Sequence, residues 1–175
     1  MIHAFPKIFT LGTIYIKDIF NEDVEITEKI DGSQFVFGLI DGKIYMRSKG
    51  KEQYPTCPDK MFKEACAFAW SLESKLPNNM TFFCEYMNKP KHNALAYDRI
   101  PKNYLALFGV ADKNGFISKH ELLSEIADKL DIDVVPLIYR VKINKTIYYY
   151  IYRTATSESK WVEIWDREHN NQGEK

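Results

Sequence analysis

The sequence predicts an α+β fold built on antiparallel strands, and three observations lead to this prediction. Residues 34–47 alternate in polarity on both sides of Asp41-Gly42, as the two strands of a β-hairpin do. Several other segments have strand character, and two segments repeat apolar residues at helical spacing. Because we find no internal repeat or linker, we expect residues 1–175 to form a single domain.

Composition narrows the class of protein. The 175 residues are 45% hydrophobic, which is enough for a sizeable core, and 24 basic and 24 acidic residues give a formal net charge of zero. Nucleic-acid binding would therefore depend on a local surface rather than on overall charge. The sequence has no apolar run near the roughly 20 residues that span a bilayer, and no secretory pattern at its start. We expect a cytoplasmic monomer that does not bind membranes.

The three cysteines, Cys57, Cys66 and Cys84, are widely spaced and form no Cys-x-x-Cys pair. This pattern favours buried or free thiols in a reducing cytosol over disulfides or zinc ligands.

The first half of the chain supplies most of the predicted elements. They are, in order, a strand at 24–30, the hairpin, a helix from Asp59 to Leu76, a strand at 80–87 and a polar loop at 88–103. Asp59 is a suitable N-cap for the helix, and Pro77 ends it. The segment at 80–87 predicts a buried strand with one conspicuous charge, Glu85.

The second half continues the alternation of strands and helices. The predicted elements are a strand at 104–112, a turn at Asn114-Gly115, a helix from Ser118, β-rich segments at 133–141 and 146–153, and a final stretch at 157–175. Ser118 and Glu121 have capping-box spacing. The apolar face predicted for this helix comprises Leu122, Leu123, Ile126, Ala127 and Leu130.

The two ends of the hairpin carry the candidate site. Lys29 lies at its entry, in Glu28-Lys29-Ile30-Asp31-Gly32-Ser33, and Arg47-Ser48-Lys49-Gly50 lies at its exit. Antiparallel pairing brings these ends to the same end of one sheet. A lysine and an arginine placed there predict a site for a phosphorylated ligand.

The order of these motifs resembles that of the covalent nucleotidyltransferases, most closely the ATP-dependent RNA ligase family. Residues 28–33 match the nucleophile motif of that family, E-K-x-D/H-G-S/T, and residues 47–50 match its Arg-Ser/Thr-x-Gly motif. Glu85 matches a strand glutamate, and Phe108 matches an aromatic residue of the next strand motif. The resemblance covers roughly residues 24–140 and implies the adenylation-domain fold of the ligases.

The resemblance implies a reaction. Lys29 would attack the α-phosphate of ATP, with Mg²⁺ or Mn²⁺, to form lysyl–AMP and release pyrophosphate. The AMP would then pass to an RNA 5′-phosphate, and an RNA 3′-hydroxyl would displace it. The lysine must be deprotonated to attack, which desolvation or a nearby cation such as Arg47 or Lys49 would favour.

The resemblance also implies roles in nucleotide binding. Glu28 would lie beside the adenine edge, and Asp31 and Gly32 would shape the turn that aims Lys29. Arg47 would bind the ribose or the incoming phosphate, and Lys49 would add positive charge.

Two strand residues complete the implied site. Glu85 would contact the ribose hydroxyls or orient the lysine and a metal ion. Phe108 would stack on the purine, a contact worth about 1–3 kcal/mol. The simpler alternatives are a salt-bridged strand residue for Glu85 and an ordinary core residue for Phe108.

One departure helps to choose within the superfamily. DNA ligases and mRNA-capping enzymes usually have an arginine at the position of Gln34, so this residue favours an RNA ligase. A DNA ligase-type or GTP-using capping-type nucleotidyltransferase remains an alternative. So does a non-catalytic nucleotide- or RNA-binding remnant of the fold.

Other polar and aromatic segments are weaker candidates. A basic loop could contact RNA phosphates, although a solvated loop is the simpler interpretation; its residues are Lys89, Lys91, His92, Arg99 and Lys102. Residues 148–150 and Tyr152 are interpreted as core and surface aromatics.

Two later motifs of the family have no match between Arg153 and Lys175. They are Glu-Gly-x-Val-x-Lys and Lys-x-Lys, whose lysines neutralise the α-phosphate. We therefore expect an adenylation domain that is incomplete at its C-terminus. Losing one such group typically costs about 10²–10³ in rate. We accordingly expect weak nucleotide binding, slow adenylylation if any, and no sealing of RNA.

Overall fold

The computed structural model describes residues 2, 4–9, 13–16, 23–54, 56 and 59–142. The predictions for Cys57, for the β-rich segment 146–153 with its tyrosines and for the stretch 157–175 lie outside these residues. The described part of the chain is mostly antiparallel sheet with two α-helices, which confirms the predicted α+β class.

The chain divides into two compact units. The first comprises Met1–Pro6 and Glu25–Tyr139 and contains both helices and the whole candidate site. The second comprises Lys7–Val24 and Arg140–Lys175, of which the structure describes little. Within the second unit, a 3-10 turn covers Ile14–Ile16, and the rings of Phe9 and Tyr15 stack 4.7 Å apart.

The strands form one large sheet and one small sheet. The strands are β1 (Asp23–Thr27), β2 (Ser33–Ile40), β3 (Lys43–Ser48), β4 (Glu52–Gln53), β5 (Met80–Tyr86), β6 (Leu105–Asp112), β7 (Gly115–Ile117), β8 (Asp133–Val134) and β9 (Leu137–Lys142). The large sheet has the order β4-β3-β2-β5-β6-β7, with β8 parallel to β6, and β1 pairs with β9. The helices are α1 (Lys63–Ser71) and α2 (His120–Leu130).

The hairpin is confirmed. β2 and β3 pair antiparallel from Phe35 opposite Ser48 to Ile40 opposite Lys43. Between them, Asp41 and Gly42 have φ values of 49° and 72°, the left-handed conformations that a primed two-residue turn requires. The entry and exit of the hairpin therefore lie at the same end of the sheet.

The two faces of the large sheet differ. One face packs against both helices in the main core, whose largest fully buried side chains include Phe35, Phe37 and Tyr86. The other face has two smaller apolar clusters, one around Phe83 and one around Met87. Because side chains alternate along a strand, Glu85 shares this second face with Phe83 and Met87.

Helix α1 is shorter than predicted. Asp59 is an N-cap, but it caps a 3-10 turn at Lys60–Phe62, where its carboxylate accepts a hydrogen bond from the Met61 amide. The α-helix itself ends at Ser71, and turns carry the chain to Leu76. The helical spacing of apolar residues continues past Ser71 because Leu72 and Leu76, which lie in these turns, are also buried.

The capping box predicted for α2 is wrong. The N-cap position is Lys119, not Ser118, and no side-chain capping bond is formed there. Instead, the carboxylate of Glu25 accepts a hydrogen bond from the His120 amide at 2.7 Å, across 95 residues. Local spacing could not reveal a cap supplied from a distant segment.

Three further predictions need correction. Leu122, placed on the apolar face of α2, is 43% exposed. The strand predicted at 24–30 ends at Thr27. The segment 133–141 contains two strands, β8 and β9, because Pro136 lies between them and has no amide hydrogen for a ladder.

The prediction of free, buried thiols is confirmed for two cysteines. Cys66 and Cys84 are both buried and unpaired. Burial raises the pKa of Cys66 to about 11 and also raises that of Cys84, so both thiols stay protonated at neutral pH.

The crowding at Gly38 gives a prediction about stability. A Cβ atom there would lie 2.3 Å from the Met80 carbonyl oxygen and 3.1 Å from the Thr81 Cα, so the strands would have to separate. We expect Gly38→Ala to lower the free energy of unfolding by about 1–3 kcal/mol in urea titrations. Gly50→Ala is the control, because a Cβ there meets nothing within 4 Å. Equal midpoints for the two variants would contradict the prediction.

Candidate active site

The turn that carries Lys29 is held against the end of β5. The Gly32 amide donates a hydrogen bond to Glu85 Oε1 at 3.0 Å. A Cβ atom at position 32 would lie only 2.4 Å from the Tyr86 carbonyl oxygen. Only glycine allows this approach, so Gly32 lets residues 29–32 lie beside the strand glutamate. We call these residues the nucleophile turn, after the role that the sequence predicts for Lys29.

Glu85 is a half-buried carboxyl in the middle of the sheet. It lies between Gln34 of β2 and Ala106 of β6 in the strand registers. Desolvation raises the pKa of Glu85 to about 7, although the Gly32 amide and the charge of Lys29 act in the opposite direction. Near neutral pH the carboxyl is therefore divided between its protonated and ionised forms. Perturbed carboxyls of this kind are concentrated at functional sites.

Asp31 has a different environment, because its carboxylate is saturated with backbone donors. Its Oδ2 accepts hydrogen bonds from the amides of Ala94 at 2.7 Å and Leu95 at 2.8 Å. The Leu95 amide is the largest cause of the lowered pKa of Asp31, and Asn93 and Lys29 lower it further. Asp31 thus binds the turn to the loop that follows β5.

Lys29 itself is exposed. Its charge lowers the pKa values of both Asp31 and Glu85, so its ammonium group lies within electrostatic reach of the two carboxyls. The preceding residue, Glu28, is half-buried, and its amide donates to the Pro136 carbonyl oxygen at 2.9 Å. The nucleophile turn is thus attached to the fold on both sides of the lysine.

The basic residues at the hairpin exit lie at the same end of the sheet. Arg47 is opposite Val36, which puts it on the same sheet face as Glu85. The Arg47 guanidinium donates to the carbonyl oxygens of Ser48 at 3.3 Å and Lys49 at 3.5 Å. These two bonds use only part of its five donors, so the remaining N–H groups can bind a phosphate.

Phe108 lies on this face at a β-bulge, beside Gly109. Its ring is half-buried and meets the ring of Phe5 edge-on, with centroids 4.9 Å apart. It also lies 6.5 Å from the ring of Phe83. These contacts satisfy one side of the ring as a core residue, and its partial exposure leaves area for a purine.

Three residues of the basic loop at 88–103 make polar contacts with other segments of the fold. Arg99 pairs with Asp133, and Lys102 lies 3.8 Å from Asp131. His92 is half-buried, and its Nε2 lies 3.0 Å from Ser33 Oγ. Arg99 and Lys102 remain exposed, in agreement with a solvated loop, and of these three residues only His92 departs from that interpretation.

Sequence reasoning missed two residues of the site. The Tyr97 hydroxyl accepts a hydrogen bond from the Asp31 amide at 2.8 Å, and Asn93 Nδ2 donates to the Gly32 carbonyl oxygen at 2.6 Å. Neither residue belongs to a periodic pattern. The one available signal was an aromatic residue, Tyr97, inside an otherwise polar loop.

The described residues do not form a metal site on their own. Among them, no three His, Cys, Asp or Glu side chains are grouped closely enough to hold a metal ion. Glu85 accepts the Gly32 amide through Oε1, and its role as a metal ligand stays a prediction. In the same part of the chain, no helix is long and apolar enough to cross a membrane.

The raised pKa of Glu85 gives a pH prediction. The folded protein holds the Glu85 proton up to about pH 7, whereas the unfolded chain releases it near 4.5, so ionisation of Glu85 makes unfolding easier as the pH rises between these values. Glu85→Gln keeps an oxygen for the Gly32 amide and removes the titration. We expect the difference in melting temperature, Glu85→Gln minus wild type, to increase by on the order of 2–4 °C between pH 4.5 and pH 7.

Thermal melts of both proteins over this range check the prediction. The informative quantity is the difference between the two melting temperatures at each pH. Asp31 and His92 titrate in both proteins, so their contributions to this difference cancel. Parallel curves would show that Glu85 has an ordinary pKa.

Comparison with solved structures shows a shared fold at low identity. A point mutant of the Naegleria gruberi RNA ligase with ATP and Mn matches with a TM-score of 0.54 and 17% identity, over 70% of this chain and 38% of that chain. The same ligase with PPi gives 0.53 and 14%, over 82% and 47%. An inferred ATP-dependent DNA ligase from Aquifex aeolicus gives 0.55 and 18%, over 87% and 42%.

The chain spans less than half the length of these solved proteins. None of the curated protein sequences matches it. A family model described as RNA ligase, however, matches residues 22–174, which is most of the chain. This protein therefore belongs to the RNA ligase family.

Proposed function

We propose that this chain is the adenylyltransferase part of an ATP-dependent RNA ligase, with Lys29 as the nucleophile. The family assignment supports this proposal, and so do the ATP and Mn named with the Naegleria ligase of the same fold. The substrates are then ATP and RNA with 5′-phosphate and 3′-hydroxyl ends.

One observation carries the proposal. The Lys-x-Asp-Gly turn is fastened by Gly32 to Glu85, a half-buried carboxyl with a pKa of about 7, on the sheet face that also holds Arg47 and Phe108. An ordinary surface lysine would not need a turn that only glycine allows. A plain structural sheet would not retain a buried carboxyl with one backbone donor, because that burial costs stability.

The first step forms a bond between Lys29 Nζ and the α-phosphorus of ATP. Lys29 attacks as the neutral amine, the bond from the α-phosphorus to the bridging oxygen breaks, pyrophosphate leaves with the bonding electron pair, and the nitrogen releases one of its two protons to solvent. Glu85 affects this step through its charge. An ionised Glu85 would stabilise the ammonium form of Lys29 and repel the nucleotide phosphates, whereas a protonated Glu85 does neither.

The later steps transfer the AMP. An oxygen of the RNA 5′-phosphate attacks the phosphorus of lysyl–AMP, which releases Lys29 and leaves an adenylylated RNA end. An RNA 3′-hydroxyl then attacks the 5′-phosphorus, which forms the phosphodiester bond and releases AMP. The unused donors of Arg47 are suited to binding the phosphate oxygens in these steps.

A divalent metal, Mg²⁺ or Mn²⁺, belongs to the proposal as a requirement of the reaction. The described residues contain no group of three His, Cys, Asp or Glu side chains that could hold it.

Two finer points complete the proposal. We infer a monomer that works in the cytoplasm without a membrane, in agreement with the free, buried Cys66 and Cys84. We favour RNA over DNA on the family match and on Gln34, since the fold is shared equally with the inferred DNA ligase.

Labelling with α-³²P-ATP in the presence of Mg²⁺ or Mn²⁺ tests the nucleophile. We expect label on the wild-type chain that survives denaturation in SDS and mild alkali but is released by acid, as for a phosphoramidate, and no label on Lys29→Ala, because only Lys29 forms this bond. Lys43→Ala is the control, since Lys43 is an exposed lysine at the far end of the hairpin. Added pyrophosphatase hydrolyses the released pyrophosphate, which prevents the reverse reaction and lets the lysyl–AMP adduct accumulate even when it forms slowly.

Three results would contradict the proposal in different ways. Label that survives Lys29→Ala would exclude this nucleophile. Label from α-³²P-GTP but not from ATP would indicate a capping-type enzyme. Absence of any label on the wild-type chain would favour a non-catalytic member of the fold.

Phe108→Leu tests purine stacking separately from packing. Leucine keeps much of the apolar contact with Phe5 but cannot stack on a base. We expect the affinity for ATP to fall by about 1–3 kcal/mol in calorimetric titrations, with a small change in melting temperature. Phe82→Leu, on the core face, should lower the melting temperature and leave the affinity unchanged. An unchanged affinity of Phe108→Leu would make Phe108 a core residue only.

A further inference from the structure

The nucleophile turn is held from both sides by one short loop segment. Asn93 donates to the Gly32 carbonyl oxygen at 2.6 Å, and the Tyr97 hydroxyl accepts from the Asp31 amide at 2.8 Å. The Asp31 carboxylate in turn accepts from the amides of Ala94 and Leu95. We call residues 93–97 the clamp segment. It is separated from the turn by 61 to 66 residues of sequence.

The clamp segment has little regular structure of its own. It lies in a loop without helix or strand, and the Tyr97 amide donates to the Pro90 carbonyl oxygen at 3.0 Å to close the loop on itself. The bonds to Asp31 and Gly32 therefore order the loop and the turn together. Such bonds fix the path of the backbone two residues after Lys29.

Tyr97 is half-buried, and its hydroxyl reaches the backbone two residues after Lys29. Desolvation is the largest cause that raises the pKa of this hydroxyl, the hydrogen bond from the Asp31 amide acts in the opposite direction, and the charges of Glu28, Asp31 and Glu85 raise the pKa further. A hydroxyl that accepts a bond from an amide still has its own proton to donate.

We propose that Tyr97 is a positioning residue for the nucleophile: its hydroxyl fixes the Asp31 amide and thereby holds Lys29 in the direction of its target. The inference rests on the proposed function, since it assigns Tyr97 to the adenylylation step. Displacing a reacting group by about 1 Å can lower a rate by on the order of 10², so the loss of this one hydroxyl can slow adenylylation strongly.

Tyr97→Phe removes only the hydroxyl and keeps the ring in its cluster with Met87 and Ala106. Tyr54→Phe is the matched control, because Tyr54 is exposed and its hydroxyl donates to Glu52, away from the clamp. The first measurement is the single-turnover rate of lysyl–AMP formation as a function of ATP concentration. We expect Tyr97→Phe to lower the rate at saturating ATP by about tenfold or more, with a change of less than about twofold in half-saturating ATP.

The second measurement reads the geometry without any activity. Amide hydrogen exchange on the full chain reports the Asp31 amide, which the Tyr97 hydroxyl protects. We expect faster exchange in Tyr97→Phe that is confined to the turn and the clamp segment, with β2 unchanged. Tyr54→Phe should match wild type in both measurements.

Several outcomes would overturn the inference. These are a wild-type rate in Tyr97→Phe, a loss that lies wholly in the affinity for ATP, unchanged exchange at Asp31, or faster exchange across the whole sheet, which would make Tyr97 a structural residue only. If the wild-type chain formed no lysyl–AMP at all, the proposed function would fail, together with the assignment of Tyr97 to catalysis. The exchange data would then still decide whether Tyr97 holds the turn.

Discussion

The contact between Gly32 and the end of β5 is the constraint on which the candidate site depends. The amide of Gly32 reaches Glu85 Oε1 only because no Cβ stands between the turn and the Tyr86 carbonyl oxygen. The same approach places Lys29 within the electrostatic field of Glu85. The backbone position of Gly32 therefore brings the turn of Lys29 to Glu85, whose own pKa is raised chiefly by burial.

The two carboxyls near Lys29 show how environment separates the roles of similar groups. Asp31 is solvated and accepts several N–H donors, so its pKa is lowered and it stays ionised as an anchor for the loop. Glu85 is half-buried with one backbone donor, so its pKa rises to about 7 and its charge responds to small changes in the site. Groups whose pKa values are driven apart in this way commonly divide structural and chemical work between them.

The sequence was informative wherever the cause of structure is local. The Asp41-Gly42 turn specified the hairpin, and its register followed from the alternation of side chains. The position of Glu85 within a strand was also predicted from neighbouring residues. The cap of α2 was not, because its acceptor is Glu25, which is 95 residues away in sequence. Interactions between distant polar residues leave no periodic signal.

The same distinction explains why the clamp segment was missed although the sequence motif of residues 28–33 was recognised. Asp31, Gly32 and Lys29 form a compact sequence motif, whereas Asn93 and Tyr97 are polar-loop residues whose roles exist only when the loop meets the turn. The loop has little regular structure, and the turn has few bonds of its own, so each supplies the partners that the other lacks. Ordering them jointly spreads the loss of conformational entropy over several hydrogen bonds. The path of the backbone at Asp31 and Gly32 therefore depends on the clamp segment, so substitutions in that segment can alter the turn beside Lys29 without changing the lysine itself.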